Sequence, residues 1–528
     1  MVAQLCIRLD GIPLALELAA ARVRSLSIEQ INARLDDCFK LLTGGMRTAL
    51  PRQQTLRATL DWSHDLLAGQ ERAVLRRLAI FPGSFTLAAA SSVASDEAID
   101  EFAVTDLLSQ LVARSLVIAD TEDAGARYRL LETTRAYALE KLAEAGEGGA
   151  IERRHAQYFR GLFDRAPDDW MRMSDAEWSA IYGSERDNIR AALDWAFRDG
   201  GDPAIGIALA GASGPIWTKL LLLREGQRWL EAAVARVGPQ TTELDQARLW
   251  LWLGILFGEA MPVQSVAAKE RAVDLYRRLG EAAGLGFSLV HLGLMLPLMG
   301  RAEQAEIVFA EAFRLLEQPG LAKALGRCFE CYGLIQMRTG KPAAARVSLE
   351  KALSLYRGAG AEIDALNALC NMADVTWALG DLDGATAGFR QTVASVRKSP
   401  LYSEGKLGLN LINLAGVLTE QGKLDDALAA AREALPLLKD GGLAWIFLDH
   451  VALRAALAGK IANAARVAGY ADSIFAAKKT SRQFNEARAH VRVQALLREK
   501  LAPGELERLI AEGVKMSEDE ACRLALEE

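Results

Sequence analysis

Leu292-Gly293-Leu294-Met295-Leu296-Pro297-Leu298-Met299-Gly300-Arg301-Ala302-Glu303-Gln304-Ala305-Glu306-Ile307-Val308-Phe309-Ala310-Glu311-Ala312 is the stretch on which the fold of this 528-residue chain turns. An apolar run ends at Gly300, and Ala305, Phe309 and Ala312 then recur at helical spacing. The next copy reads Tyr332-Gly333, Gly340, Ala345, Leu349 and Ala352; later copies keep Ala373, Gly380, Ala385 and Phe389, then Ala415, Gly422, Ala427 and Ala434. A small residue at Ala233, Ala272, Ala312, Ala352, Thr392, Ala434 and Ala471 repeats at spacings of 39, 40, 40, 40, 42 and 37. Small residues let paired helices approach closely, and the glycine turns the chain between them. Such pairs cannot bury both faces alone, so they must stack into a superhelical solenoid.

The pattern resembles the tetratricopeptide repeat (TPR), lengthened by about six residues over its usual unit of about 34. It assigns residues 203–486 to a TPR-like α-solenoid and 487–528 to C-terminal capping helices, the last segment, Leu501 to Glu528, starting with Pro503-Gly504 and reading as polar. In such repeats the first helix of each pair lines the inner surface. The positions that fall there include Arg327, Glu330, Asn367, Asn371, Asp374, Trp377 and Asn413. Asparagine is a mediocre helix former, so Asn367 and Asn371, one turn apart, invite explanation. A peptide-binding groove is one account and ordinary solvated polarity on a concave face is the other.

Upstream, the period changes. Thr55–Leu67, Glu71–Phe81, Thr86–Val93 and Val104–Arg114 read as helices, Ser115–Asp120 and Arg127–Glu132 as a strand pair, and Arg135 onward as an exit helix. Helices followed by a two-stranded hairpin predict a winged helix over 51–145, with a helical connector over 146–202 carrying Ile189, Ala192, Leu193 and Ala196 on its apolar face. A DNA-reading third helix needs side chains that reach base edges. This one offers Asp106, Ser109, Gln110 and Arg114, and residues 1–160 hold 19 basic against 21 acidic residues. The expectation is a winged helix that packs on other domains, with direct DNA contact as the alternative.

The chain opens near Asp10-Gly11-Ile12-Pro13-Leu14-Ala15-Leu16-Glu17-Leu18-Ala19-Ala20-Ala21-Arg22, followed by a second helix from Ser27-Ile28-Glu29-Gln30. This run resembles the Gly-x-Pro motif in the helical subdomain of STAND-type (NB-ARC-like) signalling ATPases, and Leu50–Ser63 is similar to the linker of the large bacterial LuxR/AfsR-like regulators. The resemblance makes 1–50 a remnant of that subdomain. It implies a phosphate-binding loop and an acidic metal-binding strand upstream, so the chain reads as the back half of such a switch, with the family's usual tail at its C-terminus. By the same resemblance Gly11 and Pro13 lie near nucleotide, and Leu131 stands where relatives carry a histidine that senses phosphate. An apolar side chain cannot donate to phosphate. ATP or ADP is the cofactor of the parent family; none is expected for this chain alone.

Composition agrees with a mainly α protein: a winged helix with a small β-hairpin wing, then the TPR-like α-solenoid. Hydrophobic residues make up 51%, charged ones 25% and aromatics 7%, and only 14 residues are proline. A net charge of −6 argues against a dedicated polyanion binder. Six cysteines do not make a disulfide framework, and Cys328 and Cys331, inside a helical pattern without a nearby histidine, read as core residues. The apolar runs at 12–21 and 204–217 are interrupted or too short to span a bilayer, which points to the cytoplasm. No phosphate-binding loop, zinc-protease motif or nucleophile–base pairing appears, so no catalytic and no metal-ligating residue is assigned. The reading is a non-catalytic sensor and coupling half of a STAND-type transcriptional regulator, whose solenoid binds a protein, a peptide or a small inducer. A free-standing TPR adaptor without nucleotide dependence is the alternative, and the product of a decayed gene a third reading.

Overall fold

The computed structural model describes residues 2, 27–30 and 57, and residues 60–527 apart from 121–124, 221, 399–403, 441–442, 479–481 and 483. The expected remnant over 1–50, with Gly11 and Pro13, therefore lies outside the described residues except at its second helix. There Ser27 Oγ accepts from the Gln30 amide at 3.2 Å while Gln30 returns a side-chain bond to the Ser27 amide at 3.1 Å, the reciprocal cap that Ser-x-x-Gln favours. The chain divides into two compact units: residues 1–166, 179–216 and 232–241, and residues 167–178, 217–231 and 242–528.

In the first unit α1 (Gly69–Leu78), α2 (Leu87–Ala94) and α3 (Glu101–Ala113) are followed by β2 (Ile118–Asp120), β3 (Arg127–Arg129) and α4 (Glu132–Glu144). Each start has a local cause. Thr86 Oγ1 accepts from the Ala89 amide and caps α2, and the Asp100 carboxylate accepts from Ala103 and caps α3. A two-residue strand, β1 (Phe85–Thr86), completes a sheet of order β1-β3-β2, pairing Phe85 with Tyr128 while Ile118 faces Arg129.

The strand pair is shorter than the sequence pattern suggests. Ser115 has φ +59°, and the Leu116 and Val117 amides both donate to the Leu111 carbonyl, so these residues close α3 instead of extending β2. Leu131 is the extended cap of α4, which ends β3 early and starts the exit helix at Glu132 rather than Arg135. α5 (Gly148–Phe163) and α6 (Arg186–Phe197) pack behind the winged helix. His155 and Phe159 of α5 meet Phe81 at ring distances of 5.1 and 6.3 Å. Glu147, just before α5, holds Arg76 and the buried Arg77, and Arg77 also binds Asp96 at 2.5 Å.

The second unit is a stack of antiparallel helix pairs: α7 (Glu243–Phe257) with α8 (Pro262–Leu279), α9 (Ala282–Met295) with α10 (Ala302–Leu316), α11 (Ala322–Arg338) with α12 (Pro342–Gly358), α13 (Glu362–Ala378) with α14 (Leu382–Lys398), and α15 (Glu404–Glu420) with α16 (Leu424–Asp440). The chain is thus mainly α, with a winged helix and TPR-like helical repeats. All seven periodic small residues, Ala233 to Ala471, are fully buried. A Cβ on Gly293 would come within 2.7 Å of the Phe309 ring, so the glycine in the first helix makes room for the aromatic in the second. Gly340 takes φ +73° at the α11–α12 turn, a conformation glycine adopts without a steric penalty. The apolar segment Ala282–Met299 is long enough to cross a membrane, yet 72% of it is buried inside the protein, as expected for a core helix.

The array continues through α17 (Leu448–Leu457) and α18 (Ile461–Lys478). α19 (Phe484–Lys500), α20 (Pro503–Val514) and α21 (Glu518–Ala525) close it. α20 crosses α18 at two glycines. A Cβ on Gly469 or Gly513 would collide with the carbonyl oxygen of Ile510 or Arg466, so the two backbones touch directly.

Candidate functional site

The first helices α11, α13 and α15 place a run of polar side chains on one surface of the second unit. Its centre is Glu330, only 2% exposed. One carboxylate oxygen accepts from Arg327 at 3.0 Å and from the Tyr356 hydroxyl at 2.7 Å, and the other accepts from Asn371 Nδ2 at 2.9 Å. Satisfied on both oxygens, this buried carboxylate links three successive helices. Asn371, singled out as a poor helix former, thus serves an internal bond.

Two cavities flank this hub. The first, of about 130 Å³, includes Arg327 and Asn367 and is completed by Trp170, Asp175, Lys219, Trp252, Phe287, His291, Lys323, Asp364 and Lys406. Lys323 is 4% exposed; its ammonium binds Asp175 at 2.8 Å, stands 3.8 Å from Asp364 and lies 4.6 Å from the Trp170 ring centre. Lys219 also sits above the tryptophans, 5.8 Å from Trp170 and 5.2 Å from Trp178. Lys406 donates to Asn367 Oδ1 at 3.4 Å. Burial lowers the pKa of Lys219 and Lys406 and raises that of Asp364, while loss of solvent and nearby cations hold His291 well below the usual imidazole range. Neither His291 Nε2 nor Trp252 Nε1, both buried, finds a hydrogen-bond partner among the described residues.

The second cavity, of about 230 Å³, is lined by Asn371, Asp374 and Asn413 together with Arg338, His450, Phe484 and Asn485. Here the chain's own α19 lies across the inner surface. Asn485 Nδ2 donates to Asp374 Oδ1 at 3.3 Å, and Arg488 binds Glu420 at 3.0 Å. Burial pushes the Asp374 carboxyl up to about 7 against the opposing bond from Asn485. Trp377, 1% exposed, is core: its ring packs on Phe389 and His450, and its indole N–H donates to Glu420 at 2.9 Å. The seven inner-face residues named from sequence therefore separate. Arg327 and Asn367 line the first cavity, Asn371, Asp374 and Asn413 the second, and Glu330 and Trp377 are buried.

Lys323, Asp364 and Lys406 escape the sequence reading for a definite reason. Counted back from Gly333, Ala373 and Ala415, the small residues that the sequence pattern puts eighth in their units, each precedes the first position of its unit by two or three residues. The helices begin one turn earlier, at Ala322, Glu362 and Glu404, so the residues that lengthen the repeat build this cavity. Trp170, Asp175 and Lys219 come from segments outside the repeat register. Their signal in sequence is the density of tryptophan and acid around 168–178.

In the winged helix, the exposed face of α3 carries Glu101, Phe102, Asp106, Ser109 and Gln110, with Arg114 at its C-cap. Arg114 is paired with the buried Glu71 at 3.1 Å, and Arg127 of the wing with Glu185 at 2.8 Å. Leu131 is half-buried at the β3–α4 junction. Cys328 and Cys331 are buried free thiols with pKa values raised by desolvation, that of Cys331 to about 11. Among the described residues no group of three or more His, Cys, Asp or Glu side chains has metal-holding geometry.

A winged helix-turn-helix domain model matches residues 67–143. Over 368 residues the chain is 39% identical to a protein of Mycobacterium tuberculosis named "Putative HTH-type transcriptional regulator Rv0890c", a match that covers 67% of this chain and 40% of that protein. A second protein of the same strain, "Uncharacterized protein Rv0894", is 45% identical over 160 residues, 30% of this chain and 41% of its own length. The crystal structure of a STAND protein with a tetratricopeptide repeat sensor from Pyrococcus horikoshii superposes with a TM-score of 0.47 at 13% identity, covering 95% of this chain and 71% of that one. The chain is homologous to proteins named as putative HTH-type transcriptional regulators and carries a winged helix-turn-helix domain. It spans about two fifths of the length of the curated relatives it matches.

Proposed function

We propose that the chain is the non-catalytic sensor and coupling portion of a STAND-type signalling ATPase and transcriptional regulator that works in the cytoplasm. Its repeats bind a protein, a peptide or a small inducer, and the winged helix relays the bound state. One observation carries this reading: the second unit holds a cavity lined by buried charge, on the same chain as a winged helix-turn-helix domain. The winged helix serves as a packing module. Its Arg114 and Arg127 are engaged by carboxylates, and the face of α3 presents acids beside a single arginine.

Deleting the gene in its host tests this proposal. A defined set of transcripts should change, and the full chain should restore it whereas a chain ending before the repeats should not. An unchanged transcript profile would overturn the reading. The adaptor alternative draws support from α19, a helix of the same chain that contacts Asp374 and Glu420 through Asn485 and Arg488. Calorimetry with ATP and ADP on the purified chain separates the two. Micromolar nucleotide binding would remove the adaptor, and its absence would remove any autonomous switch.

A further inference from the structure

Residues 167–178 belong to the second unit, whereas 1–166 before them and 179–216 after them belong to the first. Asp168, Asp169, Trp170, Asp175, Glu177 and Trp178 make this segment acidic and aromatic. Its hold on the repeats centres on Asp175, which is 1% exposed. One carboxylate oxygen takes the Lys323 ammonium at 2.8 Å, and the other accepts from the Ile363 amide at 2.8 Å. Ile363 lies in the first turn of α13, where amides have no partner within the helix. A buried lysine and a helix start together form a receptor for a carboxylate. Asp175 fills it.

The rest of the grip is also polar. The Asp175 amide donates to the Gly360 carbonyl at 3.3 Å, and Lys323 reaches the Met173 carbonyl at 3.4 Å. The same ammonium stands 4.6 Å from the Trp170 ring centre, a cation–π contact. Trp178, fully buried, anchors the far end of the segment. Packing between these points is incomplete. A cavity of about 130 Å³ borders Trp170, Met171 and Asp175, and another of about 250 Å³ borders Pro167, Asp168, Met171 and Arg172. Protein interiors leave few voids larger than a water molecule, so residues 167–175 are held at polar points without filling their berth. Desolvation offsets most of the attraction in a buried ion pair. A second segment that brings a carboxylate and an indole to the same points can therefore replace the first at small cost.

We infer that residues 167–175 are an internal occupant of the receptor made by Lys323 and the start of α13, displaced when a partner protein presents an acidic segment with a tryptophan five residues before an aspartate. The inference rests on the sensor reading above and gives its ligand a chemical class. The tethered occupant competes at high effective concentration, so the partner's apparent affinity is reduced by the fraction of chains that are open. Because the chain on both sides of the segment belongs to the first unit, its release is passed on through the backbone itself.

Hydrogen exchange on the full chain tests the release, and a fluorescein-labelled peptide with the sequence of residues 166–176 tests the receptor. Amides of residues 168–175 and of Ile363 should exchange at least tenfold faster than those in the middle of α11 and α13, and faster again in Asp175→Asn. By anisotropy the peptide should bind the Asp175→Asn chain at least tenfold more tightly than the unaltered chain. A peptide carrying asparagine in place of its aspartate should bind that variant at least tenfold more weakly. The unaltered chain gives an independent check if the variant folds poorly: millimolar peptide should speed exchange in residues 168–175 of the chain while Ile363 stays protected. Exchange of residues 168–175 only together with α11 and α13, equal affinity of the two peptides, or no binding at millimolar concentration would overturn the inference. If the segment proves locked while host transcripts still depend on the chain, the internal occupant falls and the regulatory reading stands. If the peptide displaces it and no transcript responds, the reverse holds.

Discussion

Glu330 shows how much of this surface is internal wiring. Its carboxylate is 2% exposed and takes bonds from α11, α12 and α13 at once. Removing the carboxylate while its partners stay buried is the expensive kind of change. Glu330→Ala should therefore destabilise the chain by about 3–5 kcal/mol, whereas Glu330→Gln, which keeps one acceptor, should lose less than half of that. Thermal denaturation of the two variants checks the ranking, and equal losses would mean that charge, not bonding, is what matters.

Two other groups in this unit predict a pH profile. Asp374 has its folded pKa raised to about 7, so the protonated native form is favoured: this contribution is full below about pH 4 and is lost as pH rises toward 7. Lys269, 2% exposed and donating to Ser265 Oγ at 2.8 Å, has its pKa lowered by burial to about 7. Its contribution is full above pH 10.5 and is lost as pH falls through 7. Together they place a shallow minimum of stability near neutrality. Asp374→Asn should flatten the acid limb and Lys269→Met the alkaline limb in denaturant titrations run from pH 4 to 10.

At the scale of the element, the repeat was legible because its determinants are steric and local. Seven small residues at about forty-residue spacing must be buried wherever two helices touch, and all seven are. The winged helix was legible from its change of period, but β1 was not: Phe85–Thr86 is two residues long and becomes a strand only because Tyr128 and Arg127 lie beside it. Nor could the sequence place α19 across α13 and α15. Its residues pass equally well for a polar cap, and only tertiary folding brings Asn485 to Asp374. The glycines of the closing helices give the prediction that belongs here. Gly513→Ala puts a methyl group against the Arg466 carbonyl, a backbone atom that cannot swing aside. It should raise amide exchange across α18 and α20 while α7–α10 keep wild-type protection. Gly504→Ala, where a Cβ meets nothing within 4 Å, should leave exchange unchanged.

On the scale of the whole chain, the repeat unit's stability is a sum of helix pairs and the interfaces between neighbours, so its ends are its weak points. The last interior pair is covered by α20 and α21 through a cluster that joins Ala464, Ala468 and Ala471 to Leu509, Ala521 and Ala525. Deleting residues 503–528 would expose that cluster to water. The loss should spread backwards from α18 and fade within one or two helix pairs, because each pair touches only its neighbours. Native-state hydrogen exchange on the truncated chain should therefore show a gradient: protection collapsed in α17 and α18, reduced in α15 and α16, and intact in α7–α12. Uniform loss of protection would instead mean that the array folds as one cooperative block.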